Sequence, residues 1–95
     1  MRATRSGGLP DSNRRQFVID FSLQPLREIE GLTLDVGASA GSIADQSIAA
    51  VPDQDLLRAA FKLDPADAGL IELRAVLRAG DRKMSETWLY RWTAT

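Results

Sequence analysis

The aromatic residues near the C-terminus constrain the fold of this chain more than any other feature of its sequence. Both tryptophans and the only tyrosine lie at alternate positions, as Trp88, Tyr90 and Trp92. Residues at i, i+2 and i+4 of an extended strand project from the same face. The spacing therefore predicts a strand over residues 85–92, with all of these rings on one side.

Several other segments alternate apolar and polar side chains, which is typical of strands that bury one face. The clearest is 15–22, where Phe17, Ile19 and Phe21 share a face. The others are 32–38, 43–51, 56–63 and 70–79. The glycine-containing loop 80–83 predicts a hairpin between the last of them and the aromatic strand. Six strands separated by turn signals predict an all-β sandwich, with a seventh strand available from a split of 32–51.

Three segments of the chain are less regular. Residues 43–51 are rich in alanine, and simple alternation places Ile48 on the same face as Ala44. Residues 24–31 permit one or two helical turns, begun by a proline and ended by Gly31. Residues 56–63 fit either a helical or a strand face, and intrinsic propensity favours helix. Because 56–63 is short, bounded by prolines and surrounded by predicted strands, we interpret it as a strand.

Composition limits the organisation and the partners of the chain. A length of 95 residues predicts one domain. Residues 1–13 lack periodicity, so we expect a linker or disordered tail there, followed by the domain over 14–95. A net charge of -1, with acidic and basic residues interleaved, argues against a nucleic-acid partner. No apolar run suggests membrane insertion, and the N-terminus lacks the apolar region of a secretory signal.

The residue types that usually carry catalysis are scarce. The chain has no cysteine and no histidine, which removes thiolate chemistry, the commonest general base and the commonest transition-metal ligand. Glycoside hydrolysis needs two carboxylates about 5–10 Å apart across a cleft. The candidate pairs lie in predicted turns, where acidic residues favour backbone hydrogen bonds: Asp53 and Asp55, Asp64 and Asp67, Asp81 and Glu86. We therefore predict no catalytic, cofactor or metal site.

The aromatic stripe of Trp88, Tyr90 and Trp92 has two interpretations. Coplanar rings on an exposed strand form a platform on which the C–H faces of sugar rings pack. The same rings are also the largest apolar side chains available to the core or domain interface of a small sandwich. The opposite face of the strand is mostly polar, which favours the core interpretation.

Four motifs resemble a known family when they are taken in order. They are RRQFVIDFS at 14–22, FKL at 61–63, ELRAVLRAG at 72–80 and SETWLYRW at 85–92. Together they resemble the C-terminal domain of the periplasmic glucan biosynthesis proteins of the MdoG/MdoD (OpgG/OpgD) type. Residues 31–57 match this pattern only loosely.

The resemblance implies a fold and a cellular setting. Members of that family are exported proteins of Gram-negative bacteria that take part in making osmoregulated periplasmic glucans with a β-1,2-linked glucose backbone. They have a large N-terminal β-sandwich followed by a smaller immunoglobulin-like sandwich of about seven strands in a Greek key. The substrate cleft, and the glucanase activity attributed to the MdoD branch, belong to the large domain. We therefore expect a non-catalytic periplasmic fragment, exported by an N-terminal signal of its parent that is absent here.

Three roles follow for such a fragment. It is expected to pack as an accessory domain against the large domain of its parent, and the alternatives are a carbohydrate-binding module or an envelope protein-interaction domain. The candidate interface residues lie opposite the better-defined apolar faces: Val18, Leu70, Val76 and Leu89. The candidate contacts to β-glucan are the aromatic stripe, Trp88, Tyr90 and Trp92.

Overall fold

Strands make up nearly all of the chain that the structure describes. The computed structural model describes residues 3–8, 14–23, 26 and 29–94. Its strands are β1 (Ala3–Gly8), β2 (Arg15–Ser22), β3 (Leu32–Ala38), β4 (Ser42–Val51), β5 (Leu56–Asp64), β6 (Leu70–Ala79), β7 (Arg82–Lys83) and β8 (Trp88–Thr93). A short 3-10 turn, Pro52–Gln54, precedes β5. None of the described residues belongs to a helix of the length and apolarity that crossing a membrane requires.

The strands form two antiparallel sheets, which confirms the predicted all-β sandwich. Sheet A has the order β1-β2-β5-β4. In sheet B, β6 pairs with β3 on one side and with β7 and β8 on the other, so β7 and β8 behave as one interrupted strand. This order is compatible with the A-B-E-D and C-F-G sheets of constant-type immunoglobulin domains. The immunoglobulin-like Greek key itself stays a prediction.

The core lies between the sheets and follows the alternation seen in the sequence. Strands β2, β5 and β6 each bury every second side chain. The buried cluster that they share is Phe17, Ile19, Phe21, Leu57, Ala59, Phe61, Leu63, Ile71, Leu73, Ala75 and Leu77. The interpretation of 56–63 as a strand is confirmed. Because β5 lies between β2 and β4, hydrogen bonding on both of its sides outweighs the helix propensity of its residues.

Aromatic rings connect the two sheets. Phe17 and Phe61 stack on each other in sheet A, with ring centroids 5.2 Å apart. Both meet Trp88 of sheet B edge-on at 6.0 Å. Edge-to-face and offset-stacked contacts are the favoured arrangements of aromatic pairs, because the ring edges are electropositive and the ring faces electronegative. The indole of Trp88 therefore lies at the centre of the contact between the layers.

Residues 3–8 correct one expectation, because they form β1 and not a linker. β1 pairs with β2 from Ala3↔Asp20 to Gly8↔Arg15. Residues 5–8 are exposed, and the strand is held mainly by its main-chain hydrogen bonds to β2. Its sequence therefore needs no alternation of apolar and polar side chains. One side chain adds a long-range contact: the indole N–H of Trp88 donates a 3.0 Å hydrogen bond to Thr4 Oγ1. The rest of the expected linker, 1–2 and 9–13, lies outside the described residues.

A bulge interrupts β4, the edge strand of sheet A. The register with β5 shifts between Ala44 and Ser47, and Asp45 adopts a φ of 54°. As a result Ile43 and Ile48, five positions apart, both pack against the core. The predicted strand over 43–51 is confirmed, but simple alternation is wrong about which of its side chains face the core. Asp45 pairs with Lys62 of β5 at 3.1 Å.

Two other predicted segments differ in detail. The aromatic strand begins at Trp88 and not at residue 85, because Ser85 turns towards β6 and its hydroxyl accepts a 3.0 Å hydrogen bond from the Leu77 N–H. In the predicted helical segment, residues 24, 25, 27 and 28 lie outside the described part. Within that segment, the Ile29 N–H donates to the Leu26 carbonyl at 3.2 Å, and the Leu26 N–H donates to the Leu23 carbonyl at 2.8 Å.

The turn after β3 depends on a glycine. Gly41 has a φ of +74° and lies against the start of the β5–β6 turn. A Cβ atom at this position would clash with the Asp64 carbonyl oxygen and would lie 3.2 Å from Pro65 Cα. Both neighbours are backbone atoms, so relief requires one of the two turns to move.

We expect Gly41→Ala to lower the free energy of unfolding by about 3 kcal/mol or more, since it combines left-handed strain with a backbone clash. Gly31→Ala is the matched control, because Gly31 has a φ of +72° and open space around it. Strain alone should lower the stability of this control by about 1 kcal/mol. Urea denaturation of both variants measures the difference, and equal losses would show that the two turns do not touch.

We expect Thr4→Val to lower the free energy of unfolding by about 1 kcal/mol, because the Trp88 indole N–H then loses its acceptor. Thr33→Val is the matched control: Thr33 is also on a strand, but it is exposed, and its change should stay within about 0.5 kcal/mol. Amide and indole hydrogen exchange provides a second measurement. An unchanged exchange rate at Trp88 would contradict the contact.

Candidate functional site

The aromatic stripe faces sheet A, as the core interpretation predicted. Trp88 is only 3% exposed, whereas Tyr90 and Trp92 are half-buried. Tyr90 stacks on Trp88 at 5.5 Å and meets Phe17 edge-on at 5.2 Å. Burial therefore decreases along β8 towards the C-terminus. Trp88 is not available for a sugar ring, which corrects its predicted glucan contact, while Tyr90 and Trp92 stay candidates.

Tyr90 and Trp92 border an open cleft at one end of the sandwich, which we call the end cleft. Its volume is about 530 Å³. It lies where the end of β8, the β5–β6 turn and the start of β2 come together. The residues that line it are Arg15, Pro65, Ala66, Asp67, Ala68, Tyr90, Arg91, Trp92, Thr93 and Ala94.

Arg15 is a residue of this cleft that the sequence analysis did not single out. It lies two positions before Phe17 on β2 and therefore on the core-facing side of that strand. Its Nε atom is buried and has no hydrogen-bond partner. A charged side chain with the parity of a core position was the signal in the sequence that could have revealed it.

The β5–β6 turn holds the other wall of the end cleft. The Asp64 carboxylate accepts a 3.0 Å hydrogen bond from the Ala66 N–H, and Ala66 has a φ of 53°. The Ala68 N–H donates to the Pro65 carbonyl at 3.0 Å. Asp64 thus has the turn-forming role that was predicted for it. Its neighbour Asp67 is exposed at the rim of the cleft.

The structure does not bring the four predicted interface residues together. Leu70 and Leu89 are 48% and 73% exposed on the outside of sheet B. Val18 is half-buried on the outside of sheet A, on the other side of the molecule. Val76 is 0% exposed, so its predicted place in an exposed patch is wrong. It lies on β6 beside residues 84–87, which the Met84 N–H ties to the Leu77 carbonyl at 2.8 Å.

We call the solvent side of β3, β6 and β8 the sheet B outer face. Beside Leu89 it carries a shallow groove of about 400 Å³. The Arg74 guanidinium lies over Gly37, with Nη2 3.0 Å from where a Cβ atom would be. Two ion pairs cross the strands, Arg91 to Glu72 and Arg78 to Asp35, each at 2.8 Å. This face therefore combines exposed leucines with ordered charges.

Sheet A carries a different polar cluster. Asp20 is 5% exposed and accepts hydrogen bonds from Arg58 at 2.8 and 3.2 Å. Arg5 approaches the same carboxylate at 3.8 Å. The hydrogen bond to Asp20 raises the pKa of the Arg58 guanidinium; desolvation opposes this rise, and the attraction of the two charges adds to it. The cluster joins β1, β2 and β5, so we interpret it as structural.

The described residues contain no group of three or more acidic, histidine or cysteine side chains that could hold a metal ion.

Comparison with known proteins identifies the family. A family model described as "Periplasmic glucan biosynthesis protein, MdoG" matches residues 1–92. The chain is 42% identical over 80 residues to "Glucans biosynthesis protein G" of Shewanella frigidimarina, which covers 84% of this chain and 14% of that protein. It is 44% identical over 80 residues to the protein of the same name from Shewanella sp. strain MR-7, covering 84% of this chain and 15% of the relative.

The chain thus spans only about 15% of the length of the curated relatives it matches. The matched span includes β1, β2 and nearly all of the aromatic strand, and it therefore includes strands of both sheets. With a family match over almost its whole length, this chain belongs to the MdoG family of periplasmic glucan biosynthesis proteins.

Proposed function

We propose that this chain is a non-catalytic accessory domain of a periplasmic protein that takes part in glucan biosynthesis. The observation that carries the proposal is the coverage of the match. The family model matches residues 1–92, yet the 80 residues aligned with each relative make up only 14–15% of its length. A segment of that size is one small domain of a larger protein.

The sheet B outer face is the surface that would pack against the remainder of the parent protein. Leu70 and Leu89 are exposed there, and Arg74 borders the groove beside Leu89. Interfaces between domains of one chain bury about 600–1,500 Å² and mix apolar with charged groups. Isolated exposed leucines are common on protein surfaces, but two on one sheet face, one of them beside a groove, favour a docking role.

The carboxylates of the domain support a role without catalysis. The acidic side chains of β2, β3 and β6 are engaged in ion pairs with Arg58, Arg78 and Arg91. Asp64 caps a turn and lies 3.5 Å from Arg14. These carboxylates are therefore occupied in structural contacts.

A chimaera tests the accessory role. The matching segment of glucans biosynthesis protein G from Shewanella frigidimarina is replaced by residues 1–92 of this chain, in cells that lack their own copy. We expect the chimaera to restore periplasmic glucan, measured as neutral sugar released from the periplasm. A chimaera that accumulates as a folded protein and restores no glucan would contradict the proposal.

Substitutions on the sheet B outer face test whether this face is the interface with the rest of the parent protein. Leu70→Asp together with Leu89→Asp should lower glucan production several-fold in the chimaera, because charges then enter the domain interface. The isolated domain should keep its melting temperature, since both residues are exposed. Ala49→Asp, on the exposed edge strand of sheet A, is the control and should have no effect. Full glucan production by the double variant would exclude this face as the interface.

Incubation of the isolated chain with β-1,2-glucan tests the absence of catalysis. We expect no release of reducing sugar, since Asp20, Asp35 and Glu72 are held in ion pairs and Asp64 caps a turn. Turnover that disappears when an acidic residue is replaced by its amide would contradict a non-catalytic role.

A further inference from the structure

We propose that the end cleft binds one or two glucose residues of a glucan chain. The ligand class rests on the proposed function, while the site itself rests on the geometry of Arg15, Asp67, Tyr90 and Trp92. The end cleft adjoins the sheet B outer face at Arg91, which lines the cleft and pairs with Glu72 of that face.

Unused hydrogen-bond donors are the first observation that supports the site. Arg15 Nε is buried without a partner, although buried polar groups are nearly always paired. Neither the Tyr90 hydroxyl nor the Trp92 indole N–H donates to another described residue, whereas Trp88 donates to Thr4. All three of these side chains line the same cleft. A ligand with several acceptor oxygens would satisfy them together.

The mixture of rings and polar groups is the second observation. A pyranose ring presents an apolar C–H face and a belt of hydroxyl groups that both donate and accept hydrogen bonds. The half-buried rings of Tyr90 and Trp92 supply an amphipathic surface for the C–H face. Arg15 is suited to donate to ring hydroxyls, and the exposed Asp67 carboxylate is suited to accept from them.

The size and charge of the cleft also fit a neutral sugar. Its volume of about 530 Å³ falls within the range of about 300–1,000 Å³ typical of small-molecule sites. Arg91 is neutralised by Glu72 at 2.8 Å, which leaves Arg15 and Asp67 as charges of opposite sign at the cleft. A strongly anionic ligand would meet only one uncompensated cation. Because the cleft is open, we expect dissociation constants in the millimolar range.

The two indole N–H signals of the chain provide a direct test by nuclear magnetic resonance. The probes are glucose trisaccharides with β-1,2, β-1,3 or β-1,4 linkages, each titrated up to about 20 mM, well above a millimolar dissociation constant. We expect the Trp92 indole signal to shift and saturate with at least one of them. The Trp88 signal should stay in place, because its N–H is held by Thr4 in the core.

Conservative variants connect the binding to the cleft. Tyr90→Phe keeps the ring stacked on Trp88 and removes only the hydroxyl, and Asp67→Asn removes the charge and replaces one acceptor oxygen by an NH₂ donor. Each should weaken the trisaccharide by about two- to tenfold, the effect of one hydrogen bond, with an unchanged melting temperature. Asp81→Asn is the matched control for Asp67→Asn, because Asp81 is exposed in the loop between β6 and β7. Leu89→Asp should also leave sugar binding unchanged.

Three results would overturn the inference. One is the absence of a saturable Trp92 shift with every trisaccharide. Another is a shift that Tyr90→Phe and Asp67→Asn both leave intact. The last is a Trp92 shift produced by sodium acetate and by none of the sugars, which would make the cleft an anion site. If the trisaccharide binds and the chimaera fails, the sugar site stands and the accessory role is refuted. If the chimaera restores glucan and no trisaccharide binds, the accessory role stands and the sugar site is refuted.

Discussion

The contact between the two sheets depends on a small group of stacked rings. Phe17 and Phe61 form a pair in sheet A, and Trp88 and Tyr90 form a pair in sheet B. The two pairs meet edge-to-face at 5.2 to 6.0 Å. Each such contact contributes about 0.5–1.5 kcal/mol beyond the burial of its surface, and only a narrow range of ring orientations satisfies it. The rings therefore set how the layers lie on each other.

Two peripheral features depend on the same rings. The Trp88 indole continues outward to Thr4 and so attaches β1 to the opposite sheet. Tyr90 continues the stack in the other direction and borders the end cleft. A single strand thus passes from full burial at Trp88 to partial exposure at Trp92. The aromatic stripe is therefore buried at Trp88 and partly exposed at Tyr90 and Trp92, although all three rings pack in or against the core.

Alternation in the sequence predicted the elements whose side chains meet the core. β2, β5 and β6 carry apolar residues at every second position, and their pairing outweighs local preference even in β5. β1 could not be predicted, because an edge strand held by its main chain needs no pattern in its side chains. Arg15 shows the converse limit. Its parity on β2 was visible, but the opening between the layers that accommodates it arises only from the tertiary structure.

The irregularity in β4 also affects how copies of the domain behave towards each other. β4 is an exposed edge of ten residues that carries no lysine or proline, the residues that commonly discourage intermolecular strand pairing. Its bulge at Asp45 twists the edge and leaves a charged pair with Lys62 where a flat ladder would otherwise continue. An inserted residue of this kind is one of the devices by which edge strands discourage pairing with a second copy.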